Sequence, residues 1–272
     1  RTHQGFCEAM TGLIEDLRTF GSHPVFITGA GISVASGIPT FRGSDPDAVW
    51  SKDVLEMGTY RFFRQDPVAQ WSWYLSRFQS CLDARPNPAH VAVTNLETHC
   101  LSKGSLFTVV TQNVDGLHHT AGTKNLIEIH GAARKVRCSS NTCKWGAPGG
   151  WLARQDIMFA AFLSKPCIAT LPVCPECNSL LRPHVLWFDE AYTDHVNYKV
   201  GAAQDAFVNG SVFIFVGTSF SVGITELVLD FIHMRGTPAW LIDPMGRSPS
   251  SSVKLLKAPS EIVLPEIARA LV

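Results

Sequence analysis

Apolar residues follow two different spacings along the chain. Near the start they recur every three or four positions, as on one face of a helix, at Phe6, Met10, Leu13, Ile14, Leu17 and Phe20. Further along they form short continuous runs, at residues 24–28, 106–111, 126–129, 212–216 and 239–242. Helical segments separate these runs, among them residues 226–234 and a tail that begins at Pro265. Because strands buried on both faces read as continuous apolar runs, the pattern predicts an α/β fold with a parallel sheet covered on both faces.

Two segments interrupt this alternation, and each indicates an added module. Residues 45–104 read as helical, and one helix there begins with Asn87 as its cap and Pro88 in its first turn. Residues 136–180 carry a cluster of cysteines and a run rich in Gly and Pro. We therefore predict three parts, which are a sheet domain at 1–44, 105–135 and 181–272, a helical module at 45–104 and a cysteine module at 136–180.

The charge balance argues against some function classes. Among the 272 residues, Lys+Arg and Asp+Glu both number 23, so the formal net charge is zero. The sequence has no basic stripe of the kind that nucleic-acid-binding proteins carry. No apolar run reaches the roughly 18 residues that a membrane span needs. We therefore expect neither a direct nucleic-acid partner nor a membrane.

Four of the eight cysteines form two short hooks. Cys138 and Cys143 have four residues between them, and Cys174 and Cys177 have two. Four thiolates on two hooks are typical of a closed tetrahedral Zn²⁺ site, whose role is folding because no coordination position is left for water. A disulfide or redox function is the alternative, but such short spacings in a chain of this length argue against it. The zinc interpretation also favours a reducing, intracellular setting.

A glycine-rich turn follows the first predicted strand. Gly29 and Gly31 would let the backbone approach a pyrophosphate, which a following helix N-terminus would attract. Val34 replaces the third glycine of the dehydrogenase fingerprint, which argues against hydride transfer. Phe41 and Arg42 follow within a few residues and offer a ring face for a nicotinamide or ribose and a forked cation for phosphate. A plain structural turn is the alternative if the glycines are taken alone.

Polar side chains follow the next two predicted strands. Gln112, Asn113 and Asp115 come directly after the strand at 106–111, where open α/β sheets bind ligands, and they can hydrogen-bond a carboxamide and ribose hydroxyls. An Asx turn is the alternative for this segment. His130 ends the following strand and precedes a glycine, a position that suits a general base, although most lone histidines are structural.

Taken together, these motifs resemble the sirtuin family, in the same order and at the same spacings over residues 28–243. The resemblance is carried by Gly29-Ala30-Gly31-Ile32-Ser33, Gly37-Ile38-Pro39-Thr40-Phe41-Arg42, Thr111-Gln112-Asn113-Val114-Asp115, His130-Gly131, the four cysteines and Gly217-Thr218-Ser219. It implies a Rossmann-like domain and a smaller zinc-binding and helical module, with NAD⁺ and an acyl-lysine protein or peptide in the cleft between them. It also implies an NAD⁺-dependent protein-lysine deacylase that releases nicotinamide and transfers the acyl group to ADP-ribose.

The resemblance further implies a role for each motif. His130 would take a proton from a ribose hydroxyl, and Asn113 would act beside it at the catalytic centre. The cofactor would be bound by Gly29, Ala30, Gly31, Ser33, Phe41, Arg42, Gln112, Asn113, Asp115, Gly217, Thr218, Ser219, Asp243 and Ser260. The substrate would be bound by Tyr74, Arg77, Val185, Trp187 and Phe188, and acyl-lysine peptides commonly add as an extra strand near the last three.

Tyr74 and Arg77 are informative about the acyl group. They look like the Tyr-x-x-Arg pair of the desuccinylase and demalonylase class of sirtuins, and a phenol and a guanidinium on one helix face can both bind a carboxylate. The sequence therefore predicts a preference for succinyl- or malonyl-lysine, with weaker deacetylation. An aromatic core helix with a surface Arg is the alternative. Asp189 stands where that class usually has Gly, and its charge could reorient the peptide or repel an acidic acyl group.

Two other functions would use the same cleft. An NAD glycohydrolase or mono-ADP-ribosyltransferase would release nicotinamide without deacylation, and the Tyr74/Arg77 pair and the intact segment 182–188 argue against it. A catalytically idle sensor of NAD⁺ or ADP-ribose is the second alternative. The presence of Asn113, Asp115 and His130 argues against that function.

Overall fold

A computed structural model describes residues 2–40 and 52–272 of the chain. The predicted cofactor residues Phe41 and Arg42 lie outside the described residues. The described α-helices are α1 Thr2–Thr19, α2 Lys52–Met57, α3 Tyr60–Gln65, α4 Pro67–Asp83, α5 Pro88–Ser102, α6 Leu117–Ala121, α7 Ala160–Ser164, α8 Val200–Asn209, α9 Gly223–Arg235 and α10 Ser260–Leu271. The described strands are β1 Pro24–Thr28, β2 Thr108–Thr111, β3 Leu126–Glu128, β4 Gly131–Cys138, β5 Leu152–Ala153, β6 Leu181–Val185, β7 Val212–Val216, β8 Ala239–Ile242 and β9 Lys254–Leu256.

Six strands form one parallel sheet in the order β3-β2-β1-β7-β8-β9. Successive side chains of a strand point to opposite faces of the sheet, so Phe26 and Ile214 lie in one hydrophobic core, and Val25, Ile27 and Phe215 in another. Because both faces are buried, the central strands β7 and β8 are apolar at every position, and β1 is apolar up to its last residue, Thr28. The predicted α/β fold with a parallel sheet is confirmed.

Helix α5 packs differently from the prediction, which assigned it to the helical module at 45–104. Its residues Ala89, Ala92, Val93 and Leu96 are buried in the core that also contains the inner face of α10. These four positions have the spacing of one helical face, so α5 covers the parallel sheet. Its predicted start is confirmed, since the Asn87 side chain accepts from the Ala89 amide at 2.9 Å.

Strands β4, β5 and β6 form a second, antiparallel sheet in the order β5-β4-β6. One hydrophobic core joins this sheet to helices α3 and α4 and to the cysteine hooks. Within it, the Trp71 indole of α4 donates to the Leu181 carbonyl of β6 at 3.0 Å. The helical and cysteine segments therefore form one smaller unit. Residues 131–135 and 181–185, which the prediction placed in the sheet domain, belong to β4 and β6, which pair antiparallel in this second sheet.

Some element ends also differ from the prediction. Strand β2 begins at Thr108, two residues after the predicted start, because Leu106 is 60% exposed and does not pair with a neighbouring strand. Helix α10 begins at Ser260, before the predicted start at Pro265. Strand β9 was not predicted, since its three residues include a charged lysine and carry no apolar run. None of the helices in the described ranges has the length and hydrophobicity that crossing a bilayer requires.

Candidate active site

A cavity of about 930 Å³ lies where the carboxyl ends of β1, β2 and β7 face the smaller unit. The chain order of the strands reverses at β1, and ligands of open α/β sheets bind at such a point. The predicted site residues that line the cavity are Gly29, Ala30, Gly31, Ser33, Gln112, Asn113, Asp115, His130, Gly217, Thr218, Ser219, Asp243 and Ser260, together with Tyr74, Arg77, Val185, Trp187 and Phe188. The fold thus brings together every predicted cofactor and substrate residue that the structure describes.

The glycine turn after β1 lies directly against the turn after β7. The amides of Gly29 and Gly31 donate to the carbonyls of Val216 and Gly217, each at 2.9 Å. A Cβ on Gly31 would lie 2.5 Å from the Gly217 Cα, and Gly217 has a φ of +59°. Glycine is therefore required where the two turns meet. The chain continues from the first turn as the 3₁₀ helix Ala30–Ser36.

The polar segment after β2 is hydrogen-bonded to both turns. The Asn113 amide nitrogen Nδ2 donates to the Gly29 carbonyl at 2.9 Å. The Gln112 Nε2 donates to the Thr218 hydroxyl at 3.1 Å. Both side chains are half-buried, so these bonds fix their orientation at the edge of the cavity.

Asp115 closes a local turn and also lines the cavity. One carboxylate oxygen accepts from the Leu117 amide at 2.9 Å, which is the Asx turn considered from the sequence. The other accepts from the Ser33 hydroxyl at 2.6 Å. Burial raises the pKa of this carboxyl, while both hydrogen bonds oppose the shift. The Asx turn therefore holds the carboxylate at the cavity and does not exclude a binding role.

His130 has both ring nitrogens engaged. Its Nδ1 lies 2.9 Å from the Gln112 carbonyl oxygen, which can only accept, so Nδ1 carries the proton and Nε2 the lone pair. Nε2 lies 3.3 Å from the Tyr192 hydroxyl, and the two rings are stacked at 5.9 Å. Burial lowers the pKa of His130, against a smaller opposing effect of the Gln112 carbonyl, so the ring is neutral at pH 7. The next residue, Gly131, has a φ of +88° and contacts the β6 backbone.

Tyr74, Arg77 and Cys81 line the cavity from one face of α4. Tyr74 is 1% exposed, and burial raises the pKa of its phenol, which is therefore a hydrogen-bond donor at neutral pH. Among the described residues its hydroxyl has no hydrogen-bond partner. The half-buried Arg77 guanidinium lies 5.8 Å from the Trp73 ring centroid. Arg77 is thus part of the cavity wall and not a surface residue, while Trp71 is buried in the core of the smaller unit.

Asp189 is directed toward the N-terminus of α3. Its two carboxylate oxygens accept from the amides of Tyr60 at 2.7 Å and Arg61 at 3.0 Å. It is exposed and does not line the cavity. The expectation that its charge would repel an acidic acyl group is therefore not supported by its position, because the side chain caps a helix.

The neighbouring Glu190 fixes the predicted substrate segment. Its carboxylate accepts from Arg182 at 2.9 Å and from the Trp187 amide at 3.0 Å, and the Arg182 guanidinium stacks 3.8 Å from the Trp187 ring centroid. The Leu186 amide, in the same segment, donates to the His130 carbonyl at 2.9 Å. The segment that follows β6 is therefore held next to the predicted catalytic base.

The residues predicted for the adenosine end lie at the far side of the cavity. Asp243 follows β8 and accepts from the Met245 amide at 2.8 Å, so one carboxylate oxygen closes the local turn. Ser260 is buried at the first position of α10. Both line the cavity, and their contacts with the adenosine moiety stay a prediction.

The four cysteines of the two hooks come together as the spacing predicts. Their sulfur atoms all lie within 4.8 Å of one another, with Cys138 and Cys177 at 3.4 Å and Cys143 and Cys174 at 3.7 Å. All four are free thiols. Zn–S bonds of about 2.3 Å in a tetrahedron place sulfur atoms at this kind of separation, so the cluster fits a structural zinc ion.

Two features of the site were not predicted from the sequence. Tyr192 contacts His130 from 62 positions along the chain, and no spacing or motif links them. The wall residues Trp73, Phe78 and Cys81 surround the Tyr74/Arg77 pair. The helical spacing of Tyr74, Arg77, Phe78 and Cys81 on α4 could have predicted that they share one face.

The chain matches the Sir2 family over residues 29–223. An NAD-dependent protein deacylase of Pyrococcus furiosus is 39% identical over 215 residues, which cover 77% of each chain. A solved Sir2 homologue–NAD complex is 34% identical with a TM-score of 0.73, covering 92% of this chain and 89% of the other. A Sir2 complex with a deacetylated p53 peptide and 3′-O-acetyl ADP-ribose is 28% identical with a TM-score of 0.76, covering 96% of each chain.

Proposed function

The chain belongs to the Sir2 family and is an NAD⁺-dependent protein deacylase, and we propose that it prefers succinyl- and malonyl-lysine over acetyl-lysine. We further propose that it releases nicotinamide and transfers the acyl group to ADP-ribose. The observation that carries the acyl preference is that Tyr74 and Arg77 line the same cavity as His130.

The cofactor end of the cavity suits a dinucleotide. Its volume of about 930 Å³ lies in the usual range of cofactor sites, and the crossing of Gly31 and Gly217 leaves backbone free of side chains. Bound NAD⁺ supplies the ribose carbon that accepts the acyl oxygen when nicotinamide leaves. In this proposal, Asn113, Gln112 and Asp115 orient the nicotinamide ribose from positions fixed by hydrogen bonds.

His130 is the general base of the proposed reaction. Because Nδ1 donates to the Gln112 carbonyl, Nε2 is the nitrogen that can accept a proton from a ribose hydroxyl. The lowered pKa keeps Nε2 unprotonated at neutral pH. Cys138, Cys143, Cys174 and Cys177 would hold a zinc ion that stabilises the smaller unit and, with four thiolate ligands, leaves no position for water.

The acyl end of the cavity can neutralise a carboxylate. A carboxylate leaving water needs charged or hydrogen-bonding partners, and here it would meet the Arg77 guanidinium and the Tyr74 hydroxyl. The guanidinium of Arg154 adds positive potential beside the Tyr74 phenol. It opposes part of the rise that burial causes in the pKa of that phenol. Asp189, bound to the α3 amides, does not oppose this charge from the cavity wall.

The acyl-lysine peptide is proposed to lie along the segment that contains Val185, Trp187 and Phe188. Phe188 is 49% exposed, and its amide donates to the Gly58 carbonyl at 3.0 Å, which fixes the segment against the start of α3. An extended peptide adding there would bring its acyl-lysine past Trp187 toward His130.

The test is a panel of acetyl-, malonyl- and succinyl-lysine peptides with NAD⁺. We expect Arg77→Met to lower kcat/KM for succinyl-lysine by about ten- to hundredfold, because a charge-assisted hydrogen bond contributes about 1.5–3 kcal/mol. Deacetylation should change by less than about twofold. Arg85→Met, which removes an exposed arginine outside the cavity, is the matched control and should leave both activities unchanged.

The same panel separates the two levels of the proposal. Equal losses of desuccinylation and deacetylation in Arg77→Met would contradict the acyl preference alone. Unchanged turnover in His130→Ala would contradict the catalytic assignment. Nicotinamide release by the wild type at the same rate with and without peptide would indicate glycohydrolase activity and overturn the deacylase proposal.

A further inference from the structure

A second cleft, of about 420 Å³, is lined in part by Leu126 and Glu128 of β3 and shares no lining residue with the cofactor cavity. β3 is the edge strand of the parallel sheet, and the cleft runs between it and strands β4 and β5 of the smaller sheet. The cleft is therefore a separate concave surface at the junction of the two sheets.

The lining of this cleft carries an excess of positive charge. Lys124, Lys135 and Lys199 border it, while Arg134 and Glu128 cancel each other in a two-bond ion pair at 2.6 and 2.7 Å. None of the three lysines forms an ion pair with a carboxylate in the described part of the chain. The whole protein has a formal net charge of zero, so this cleft is more positive than the chain on average.

The cleft also has an aromatic wall. Trp151 forms one wall, and the Lys135 ammonium lies 4.1 Å from its ring centroid. Burial lowers the pKa of Lys135, Arg134 and Lys199 lower it further, and Glu128 opposes them. Arg134 and Lys199 therefore repel the Lys135 ammonium, and a bound anion would relieve that repulsion.

We propose that this cleft binds a small polyphosphate anion. The Arg134 fork, which could bind a carboxylate or a phosphate, is already occupied by Glu128. The groups that remain are lysine ammoniums, which act as compact point charges and suit phosphate oxygens that carry several charges. The volume admits a ligand the size of tripolyphosphate.

The test is calorimetric titration of the zinc-loaded protein with tripolyphosphate in low salt. Lys124→Gln/Lys135→Gln/Lys199→Gln should bind at least about tenfold more weakly than the wild type, because three charge-assisted contacts are lost. The matched control is Lys103→Gln/Lys165→Gln/Lys257→Gln, which removes the same charge from exposed positions outside the cleft and should bind like the wild type.

Three outcomes would overturn the proposal. Equal affinity of the two triple variants would show that net charge alone determines binding. Competition of tripolyphosphate with ADP-ribose would place the anion in the cofactor cavity. Citrate binding as tightly as tripolyphosphate would show that the cleft is not selective for phosphate.

A different observation, the contact between Tyr192 and His130, carries a second inference, which rests on the proposed role of His130 as the base. Since Nδ1 of His130 donates to Gln112, the Tyr192 hydroxyl is the donor to Nε2 at 3.3 Å. We infer that Tyr192 is a positioning residue that keeps His130 neutral and oriented until a ribose hydroxyl takes its place at Nε2.

The inference predicts a shift in pH dependence. A donor to the lone pair stabilises the neutral ring, so Tyr192→Phe should raise the pKa of His130 and move the acidic limb of kcat/KM to higher pH. Imidazole NMR shifts measure the same pKa without relying on activity. Tyr198→Phe, which removes a buried hydroxyl bonded to Arg137 at 3.0 Å, is the control for a structural loss and should leave the limb in place.

The outcomes separate this inference from the proposed function. An unchanged His130 pKa in Tyr192→Phe, with His130→Ala inactive, would overturn the role of Tyr192 alone. Retained activity in His130→Ala would instead remove the base on which the inference depends.

Discussion

The proposed cofactor end of the cavity is fixed by main-chain atoms, whereas the proposed acyl end is formed by side chains of one helix. Asn113 and His130 each bond a carbonyl, of Gly29 and Gln112 respectively, and Gly31 lies against the Gly217 backbone. These contacts follow from the parallel register of the strands and leave little freedom for change.

At the proposed acyl end, the recognition groups that we propose belong to α4, whose start is capped by Asp66. The Tyr74 hydroxyl there is buried without a hydrogen-bond partner among the described residues, so its partner is expected to be substrate. A few side-chain substitutions on such a helix can change which acyl group is accepted without disturbing the cofactor end.

Among these predictions, zinc removal should change binding the most, and it should affect only the proposed acyl end of the cavity. The cysteine hooks share a hydrophobic core with α3 and α4, while the parallel sheet has two cores of its own. Structural zinc contributes on the order of 10 kcal/mol to folding where it has been measured, so chelation should unfold the smaller unit first. We expect loss of acyl-peptide binding at chelator concentrations that leave the helical circular dichroism of the sheet domain largely intact.

Re-addition of zinc, with magnesium as the control, should restore peptide binding. A single cooperative loss of both units on chelation would contradict the separation of the two ends. Retained peptide binding after verified zinc removal would show that the hooks are not needed for the acyl end.

Gly31→Ala should have an intermediate effect, confined to the cofactor end. Its Cβ would lie 2.5 Å from the Gly217 Cα, and overpacking of this kind costs about 1–3 kcal/mol. We expect NAD⁺ affinity to fall roughly ten- to hundredfold by calorimetry, because the two turns must move apart. Gly201→Ala, at a glycine with open space around it, is the matched control. Equal NAD⁺ affinity in both variants would show that the close contact between Gly31 and Gly217 is not needed for cofactor binding.

The two ends also differ in how far the sequence predicts them. The apolar runs carry strong local signals, whereas the glycines after β1 and β7 indicate a site only together with the motifs around them, and the structure places these glycines in one cavity wall. The position of α5 was misjudged although Ala89, Ala92, Val93 and Leu96 show a buried face, because periodicity indicates that a face is covered but not by which element. Contacts between distant residues, such as Tyr192 with His130, depend on the folded topology and have no local signal.

Asp189 gives the smallest predicted effect and the sharpest test of the acyl end. Asp189→Ala removes the acceptor for the Tyr60 and Arg61 amides, so it should lower the free energy of unfolding by about 1 kcal/mol, as loss of a helix cap does. The ratio of desuccinylation to deacetylation should stay within about twofold of the wild type, because the carboxylate is outside the cavity. Asp194→Ala, which removes an exposed carboxylate bonded to one backbone amide in the same loop, is the control for charge. A several-fold rise in desuccinylation in Asp189→Ala alone would mean that this carboxylate does repel the acidic acyl group, and that acyl preference is determined beyond the α4 wall.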